Sequence, residues 1–362
     1  PSTNNFYSVF SIDANAVGIA GTTGLLRTSN GGLNWAQNVT LGGVNCFELH
    51  TRNPFRWYAL TQNSSWYIRM GNPAGVTLNS GKSDSILSLH YINMACGIAV
   101  GTAGKIEATC DTGATWQLRT SGTNNNLNAI WFADADTGCA VGAGGTIIRT
   151  TNAGNTWTPI VSGTGLTLNA IHFPNPSVGY ISGNGGKLLK TMDAGATWTN
   201  MPTGVLNTLN GVFFVDSDTG YVVGSGGLIM KTLDGGVNWY NMTSGTSNVL
   251  NSVHFSSPVD GWAVGNAGTI LKYNGSSGLG IKTNEESLEF LLYPNPAKDF
   301  INIISHVSNA TIKIYNALGA LVYEGISGGE ETKLDMRDFS AGVYFVEWRT
   351  TDKVLVKKFV KN

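Results

Sequence analysis

Short apolar runs separated by turn residues recur along the first three quarters of the chain at a constant step. Tryptophans follow one another at intervals of 41 residues, at Trp116, Trp157, Trp198 and Trp239. Leu-Asn pairs keep the same interval, and Trp35 stands two steps less one residue before Trp116. Seven such units fit between residue 6 and about residue 283, so the pattern predicts a repeat protein.

Each repeat contains four short apolar segments. In the repeat from 127 to 163 they cover residues 129–133, 139–142, 146–150 and 157–161. Gly144 and Gly145 predict a tight hairpin between the second and third segments. The repeats have no stretch with apolar residues at helical spacing. We therefore expect an all-β chain, with a seven-bladed β-propeller followed by a small Ig-like β-sandwich.

A second motif precedes each repeated tryptophan, with the pattern Thr-x-Asp/Asn-x-Gly-x-Thr/Asn-Trp. Five copies keep this register, with their acid or amide and their tryptophan at Asn30 and Trp35, Asp111 and Trp116, Asn152 and Trp157, Asp193 and Trp198, and Asp234 and Trp239. The motif resembles the Asp-box of bacterial-neuraminidase-type (BNR) repeats. Its Asp or Asn is expected to bond nearby backbone amides and its Trp to pack between strands, which is a structural role rather than a calcium or substrate site.

The whole unit also resembles the seven-bladed propellers of photosystem II assembly factors. This resemblance covers residues 6 to about 275 and implies the fold alone. Blade 7 departs from it, because Tyr273 replaces the Thr and no Trp follows. Either residues 279–283 supply its fourth strand, or the ring closes without one.

The charge density rises after residue 283, from 25 charged residues in 283 to 20 in the last 79. We expect the propeller over 1–275, a linker over 276–287 and a second domain over 288–362. Strands are predicted in that domain at 300–304, 310–316, 320–323, 343–349 and 354–360.

Four segments of the second domain resemble the C-terminal sorting domain of type IX secretion in Bacteroidota. The residues that carry the resemblance include Tyr293, Pro294, Asn295, Pro296, Gly342, Lys357, Lys358 and Lys361. The resemblance implies export to the cell surface with the type IX translocon and its outer-membrane shuttle as partners, and usually removal of this domain afterwards. The first residues have no charged and apolar leader pattern, so we expect that any signal peptide has been removed.

Composition excludes several classes of function. The formal net charge is −1, so the chain lacks the basic excess that nucleic-acid binding requires. The sequence has no apolar run of 18 residues that would predict a membrane span. His90, His172 and His254 share one strand position, and equivalent positions in different blades are expected to lie too far apart to share a metal ion. No metal and no cofactor is predicted.

The four cysteines are expected to play two different roles. A hairpin centred on Ala103 places Cys96 opposite Cys110, so these two are predicted to form a disulfide. Cys46 and Cys139 lie in apolar strands and are predicted to be buried thiols. Asp84, Ser85 and Ile86 resemble a short O-glycosylation motif of Bacteroidota, which makes Ser85 a candidate for glycosylation.

Most acids of the propeller belong to repeated turns, which argues against catalysis. A glycosidase generally needs two carboxylates about 5 to 10 Å apart. Outside the repeated turns only Glu48, Asp84 and Glu107 remain, and they do not come from matching loops. Arg27 and Arg149 match lysines of other blades and are interpreted as surface residues of the third strand.

The sequence therefore favours a secreted, non-catalytic propeller that binds glycans or proteins. Blade 2 lacks the Asp-box and instead carries residue types that are enriched at binding hot spots, namely Arg52, Arg56, Trp57, Tyr58, Trp66, Tyr67 and Arg69. These residues are the candidate ligand site, unless they only fill the core of a diverged blade. The alternatives are a structural subunit of an extracellular assembly, with self-association through open strand edges, and a diverged glycoside hydrolase or sialidase-like enzyme.

Overall fold

A computed structural model describes most of the chain. The described residues are 4–22, 24–37, 45–53, 56–61, 66–69, 76–79, 86–93, 95–274, 290–293, 295–305, 310–328, 331–350 and 354–362; within 51–59, 61–85 and a few further positions only the backbone is described. The chain divides into two compact units, Pro1–Ile281 and Lys282–Asn362. Their boundary falls inside the linker expected over 276–287.

The first unit is a propeller of seven blades, each an antiparallel sheet with its strands in chain order. Blade 1 contains β1 (Phe6–Ser11), β2 (Val17–Gly21), β3 (Gly24–Thr28) and β4 (Ala36–Gln37). Blade 2 contains two strand pairs side by side, β5 (Cys46–Asn53) with β6 (Arg56–Thr61) and β7 (Trp66–Arg69) with β8 (Val76–Asn79). Blade 3 contains β9 (Ile86–Tyr91), β10 (Gly97–Gly101), β11 (Ile106–Thr109) and β12 (Gln117–Arg119).

Blades 4 to 6 repeat the four-stranded pattern. They contain β13 (Leu127–Phe132), β14 (Gly138–Gly142), β15 (Ile147–Thr150) and β16 (Thr158–Ile160); β17 (Leu168–His172), β18 (Gly179–Gly183), β19 (Leu188–Thr191) and β20 (Thr199–Met201); and β21 (Leu209–Phe214), β22 (Gly220–Gly224), β23 (Ile229–Thr232) and β24 (Tyr240–Met242). Blade 7 has three described strands, β25 (Leu250–Ser257), β26 (Asp260–Gly265) and β27 (Ile270–Asn274). Residues 279–283, which might supply a fourth strand, lie outside the described residues.

The two ends of each blade differ in their turns. At one end, which we call the linker face, a 3-10 turn joins the second and third strands, as in Ala143–Gly145. Gly145 has a φ of 72°, and a Cβ atom there would meet the Thr164 carbonyl oxygen at 1.9 Å, so this turn requires glycine. The opposite end, which we call the Asp-box face, carries the turn between the first two strands and the Asp-box.

Each described Asp-box closes on itself through hydrogen bonds. In blade 5 the Thr191 hydroxyl donates to Asp193 Oδ1, and the Thr197 backbone N–H donates to the same oxygen at 2.8 Å. The Trp198 indole N–H donates to the Gly195 carbonyl oxygen. Burial alone would raise the pKa of Asp193, but hydrogen bonds from Thr197 lower it to about 2. These bonds use the carboxylate locally, as the structural interpretation of the motif expects.

The cations of the third strands join neighbouring blades, and the interpretation of Arg149 and its equivalents as surface residues is wrong. Arg149 donates to the Ala194 carbonyl oxygen at 2.8 Å, and Lys190 donates to the Gly235 carbonyl oxygen at 2.9 Å. Each acceptor follows the Asp of the next blade's Asp-box and has a positive φ. The reason is geometric: the third strand ends beside the next blade, so its long side chain reaches that turn instead of water.

Tyr273 replaces the missing tryptophan of blade 7. In blades 4 to 6 the tryptophan packs edge-on against a phenylalanine of its own blade, with ring centroids 6.3, 5.9 and 6.2 Å apart. In blade 7 the Tyr273 ring lies 5.7 Å from Phe255. The buried Lys231 side chain lies over the Tyr221 and Tyr273 rings, at 5.3 and 5.6 Å.

The cysteines adopt the two states that the hairpin register predicts. A disulfide joins Cys96 to Cys110, whose Cα atoms are 3.9 Å apart. Cys46 and Cys139 are free and fully buried, which confirms the prediction of buried thiols, and burial raises both pKa values to about 12. Ser85 lies outside the described residues.

The second unit is a sandwich of two antiparallel sheets. One has the order β28 (Phe290–Tyr293), β29 (Phe300–Ser305), β32 (Glu331–Asp335), and the other has the order β31 (Leu321–Ile326), β30 (Thr311–Asn316), β33 (Gly342–Arg349), β34 (Val354–Lys361). Ile301, Ile314, Trp348 and Phe359 from the two sheets share one buried core. β28 and β32 escaped the sequence prediction; β32 alternates charged and polar residues around one apolar side chain.

The sorting-signal residues tie the start of this unit to its last strand. The Asn295 side chain accepts a hydrogen bond from the Val360 N–H at 2.8 Å, and the Ala297 N–H donates to the Val360 carbonyl oxygen. Tyr293 ends β28, Gly342 begins β33, and Pro296 follows a cis peptide bond. Lys357, Lys358 and Lys361 lie on β34, and burial lowers the pKa of Lys357 to about 8. Pro294 lies outside the described residues.

Asp193 tests the structural role of the Asp-boxes. We expect Asp193→Ala to lower the free energy of unfolding by about 1 kcal/mol, the net value of a hydrogen bond, and Asp193→Asn to be nearly neutral because Asn152 serves in blade 4. Because the native pKa lies below 3.8, the carboxylate stabilises the fold above that pH and this contribution is lost as the pH falls toward 2. Urea unfolding at pH 7 and pH 3 measures both effects. Equal losses for the two variants would contradict this role.

Removal of the disulfide should destabilise the propeller without changing its fold. The bond closes a short loop, with a sequence separation of 14, so we expect Cys96→Ser/Cys110→Ser to lose about 2–3 kcal/mol. Thermal unfolding with and without reductant measures the loss. Reductant should lower the midpoint of the natural protein and leave that of the double variant unchanged.

Candidate functional site

The innermost strands of the seven blades surround the propeller axis and place three tiers of side chains there. The upper tier lies nearest the linker face and contains Tyr7, Phe47, Leu87, Asn128, Asn169, Asn210 and Asn251. The middle tier contains Ser8, Glu48, Ser88, Ala129, Ala170, Gly211 and Ser252. The lower ring contains Phe10, His50, His90, Trp131, His172, Phe213 and His254.

The lower ring is a closed circle of aromatic side chains. Successive ring centroids, from the Phe10–His50 pair around to the His254–Phe10 pair, are 6.0, 4.7, 4.8, 4.6, 4.2, 4.6 and 4.1 Å apart. Trp131, Phe213 and His254 keep part of their surface exposed. The ring therefore forms a floor across the axis below the linker face.

Equivalent histidines of neighbouring blades meet, and the expectation that they lie too far apart is wrong. The His50 and His90 rings are 4.7 Å apart, because strand-one side chains converge on the axis. His172 Nδ1 accepts a hydrogen bond from the Phe214 N–H, and burial lowers the pKa of both His172 and His254 to about 3. Among the described residues, no three His, Cys, Asp or Glu side chains converge as metal ligands.

Glu48 is the only carboxylate of the middle tier. Its oxygens accept hydrogen bonds from the Ser88 hydroxyl at 3.1 Å and the Leu89 N–H at 2.6 Å. Part of the residue stays exposed although protein surrounds the carboxyl group, as expected for a side chain that lines a narrow channel. Burial raises its pKa to about 8. The carboxyl group therefore holds a proton through part of the neutral pH range.

The upper tier forms the mouth of the channel and has two unlike halves. In blades 1 to 3 it is apolar: the Tyr7 and Phe47 rings are 5.4 Å apart, and Leu87 is 38% exposed. In blades 4 to 7 it consists of asparagines, each donating through Nδ2 to a backbone carbonyl of the next blade, as Asn128 does to Leu168. The described residues provide no donor to Oδ1 of Asn128 or Asn210, so these acceptors can serve a ligand.

The backbone places the predicted blade 2 site at two ends of the blade. Arg52, Arg56 and Trp57 lie beside the turn between β5 and β6, at the Asp-box face, while Trp66 and Tyr67 begin β7 at the linker face. Tyr58 pairs with His50, and Arg69 ends β7. The side chains of all seven lie outside the described residues. A single site would need residues from both ends of the blade.

Glu48 and Glu107 stand on different strands. Glu107 lies on β11, two strands outward from the β9 segment that Glu48 contacts, and it forms a 3.2 Å ion pair with Lys105. Glu107 is buried, with 2% of its surface exposed. Asp84 lies outside the described residues. Within the described residues, therefore, the carboxylates proposed for catalysis do not share a loop or a strand.

Sequence reasoning missed the channel mouth. The Leu-Asn pairs were recognised as repeat markers, but the position after each Leu is also the mouth position. Tyr7, Phe47 and Leu87 occupy the same position in blades 1 to 3, where the pair is absent. Alignment of all seven first strands would have shown the division into apolar and amide halves.

Residues 291–362 match the family described as the secretion system C-terminal sorting domain. Residues 121–208 and 161–245 match photosynthesis system II assembly factor YCF48, a family of BNR repeats. The protein is a BNR-type β-propeller with a type IX secretion sorting domain. It is secreted through that system to the cell surface or the surrounding medium. The described part of this sorted propeller contains no helix with the length and hydropathy of a membrane span.

Among curated proteins, the sorted propeller is 36% identical over 73 residues to beta-agarase A of Zobellia galactanivorans, which covers 20% of this chain and 13% of that protein's length. Among solved structures, it resembles YCF48 from Cyanidioschyzon merolae with a TM-score of 0.63 and 17% identity, covering 76% of this chain and 97% of that one. It resembles a Niastella koreensis GH74 enzyme with a TM-score of 0.65 and 13% identity, covering 99% of this chain and 66% of that one. These structural likenesses show the fold alone.

The lower ring should make the propeller sensitive to acid. The native pKa of His254 lies near 3, below its ordinary 6.5, so the unfolded chain binds a proton that the folded chain refuses, and stability falls as the pH drops from about 6.5 toward 3. Phe213 shows that phenylalanine fits this position. His254→Phe should weaken the acid dependence, and it should lose about 1–3 kcal/mol at pH 8 because the Ser11 N–H loses its acceptor. Urea unfolding from pH 4 to 8 measures both; an unchanged pH slope would contradict the assignment.

Proposed function

We propose that the sorted propeller is a non-catalytic binding protein of the cell surface, and that it holds an uncharged glycan at the channel mouth. The observation that carries the proposal is the division of the upper tier into an aromatic half and an amide half above a floor of rings. This arrangement is concave, mostly apolar and equipped with a few polar groups, as small-ligand sites usually are.

The aromatic half suits the apolar face of a sugar ring. Tyr7 and Phe47 are partly exposed neighbours, and Leu87 continues the apolar surface into blade 3. Aromatic side chains provide a large contact area at a low cost in conformational entropy. The same surface would accept an aromatic side chain of a protein ligand, which is the second ligand class that this mouth fits.

The amide half suits hydroxyl groups. The Nδ2 atoms of Asn128 and Asn210 are used between blades, which holds the side chains in place and leaves Oδ1 to accept hydrogen bonds. No Lys or Arg belongs to any of the three tiers, and Glu48 is the only acid. This lack of charge favours a neutral ligand over a sulfated or uronic one.

Two observations support a role without catalysis. Glu48 has both oxygens engaged by Ser88 and Leu89, and Glu107 is buried and paired with Lys105. A hydrolase needs two carboxylates that reach one glycosidic bond from opposite sides. The mouth provides hydrogen-bond acceptors and aromatic surface instead. A diverged hydrolase remains the alternative that the first experiment separates.

The first experiment incubates the full chain with a panel of neutral and charged polysaccharides and measures both depletion from solution and release of free sugar. We expect depletion of a neutral polysaccharide without release. Release would overturn the proposal and would make Glu48, Asp84 and Glu107 the residues to change. No depletion by any polysaccharide, together with retention of a protein ligand, would favour the protein-binding version.

Tyr7→Ala and Phe47→Ala should weaken binding of the retained polysaccharide at least about tenfold, the ratio that corresponds to 1.4 kcal/mol. Tyr240→Ala, at a 56% exposed aromatic on an outer strand, is the matched control and should bind normally. Affinity electrophoresis measures the ratio, and thermal unfolding verifies that each variant is folded. Equal binding by all three variants would place the ligand elsewhere.

A further inference from the structure

The outer edge of β27 is uncovered among the described residues. β27 pairs with β26 on one side, and its sheet has three described strands. The third strands of blades 3 to 6 each pair with a fourth strand on the outside. Such an edge presents unpaired backbone groups that can add another strand.

Burial along the edge agrees with a missing strand. In blade 4 the third-strand residues Ile147 and Ile148 are 2% and 1% exposed. Their equivalents in blade 7, Ile270 and Leu271, both keep part of their surface exposed. An apolar edge that is buried in the other blades is therefore open in this one.

The complete blades define what covers such an edge. Their fourth strands place an apolar residue against the first residue of the third strand, in the pairs Ile147–Ile160, Leu188–Met201 and Ile229–Met242. A polar or aromatic residue stands two positions earlier, against the cation, as Thr199 does against Lys190. The occupant of the β27 edge should accordingly be an uncharged extended segment with Met or Ile opposite Ile270.

The chain's own sequence departs from this pattern after blade 7. The apolar residue of the fourth strand follows its partner by thirteen residues in blades 4 to 6, and this spacing from Ile270 leads to Thr283. The position of the Asp-box tryptophan corresponds to Gly280. Tyr273 already occupies the place of that tryptophan against Phe255, so only the strand itself is lacking.

We infer that β27 is a docking edge for an extended, uncharged segment of a partner protein, which completes blade 7 by strand addition. The segment adds its backbone to the sheet and buries one Met or Ile side chain against Ile270. This inference does not rest on the glycan proposed for the channel mouth, because β27 lies at the outside of blade 7.

Blade 4 shows which amides carry the pairing. Its fourth strand has Pro159 opposite Ile148, and proline has no N–H to donate. In an antiparallel pair the bonded positions alternate, so the residues on either side, opposite Ile147 and Arg149, make the hydrogen bonds. In blade 7 the corresponding outward amides are those of Ile270 and Lys272.

The test uses a synthetic peptide of residues 196–203, Ala-Thr-Trp-Thr-Asn-Met-Pro-Thr, which contains the blade 5 fourth strand, added to the full chain. Calorimetry measures binding, and amide hydrogen exchange follows Ile270 and Lys272. The covered Ile229 and Lys231 of blade 6 serve as internal controls. N-methylation at Asn200, the position of Pro159, should leave binding unchanged. N-methylation at Thr199 or Met201, or Met201→Ser, should weaken it at least about tenfold.

In the free protein we expect Ile270 and Lys272 to exchange at least about tenfold faster than Ile229 and Lys231, and the peptide to slow them. Three results would overturn the inference. Protection of Ile270 and Lys272 in the free monomer would show that the chain covers its own edge. Protection that appears only with dimerisation would assign the edge to a second copy. Absence of binding at about 1 mM peptide, or equal binding by all three N-methylated peptides, would exclude strand addition by a partner.

Discussion

Backbone N–H groups of each innermost strand donate to a side chain of the preceding blade, and this lateral contact around the axis organises the propeller. Leu49 donates to Ser8, Leu89 to Glu48 and Ile130 to Ser88, and Val9 donates to Ser252, which closes the circle. The last blade therefore holds the first through the same bond that joins the other blades. In the described residues the ring closes without a strand shared between the chain's two ends.

The outer layer repeats this logic at the Asp-box face. A left-handed residue turns its carbonyl oxygen toward the preceding blade, and a half-buried cation donates to it, as Lys190 does to Gly235. The glycine at the centre of the box is required by space as well as by conformation. A Cβ atom on Gly195 would lie 2.4 Å from the Cys139 sulfur of the neighbouring blade. The motif is therefore part of the interface between blades.

The channel mouth arises from variation at positions that elsewhere hold the ring together. Asn128 and its equivalents bond to the next blade, whereas Tyr7, Phe47 and Leu87 give up that bond and expose apolar surface at the same height. Glu48 extends the same principle, because it makes the bond that Ser88 makes in the next blade and adds a titratable group. The proposed binding site thus uses the few blades in which the structural pattern is relaxed.

The repeat period, the turn residues and the sorting motif are local properties, and the sequence alone determined them. The 41-residue step predicts the blades, because a strand and its turn are encoded within a few residues. The hairpin register likewise placed Cys96 opposite Cys110. The packing of one blade against the next is not local. Only the tertiary structure decided that His50 meets His90, that Arg149 reaches Ala194, and that Tyr7 joins Phe47 at the mouth, because each pair lies about one repeat apart and meets only when the ring closes.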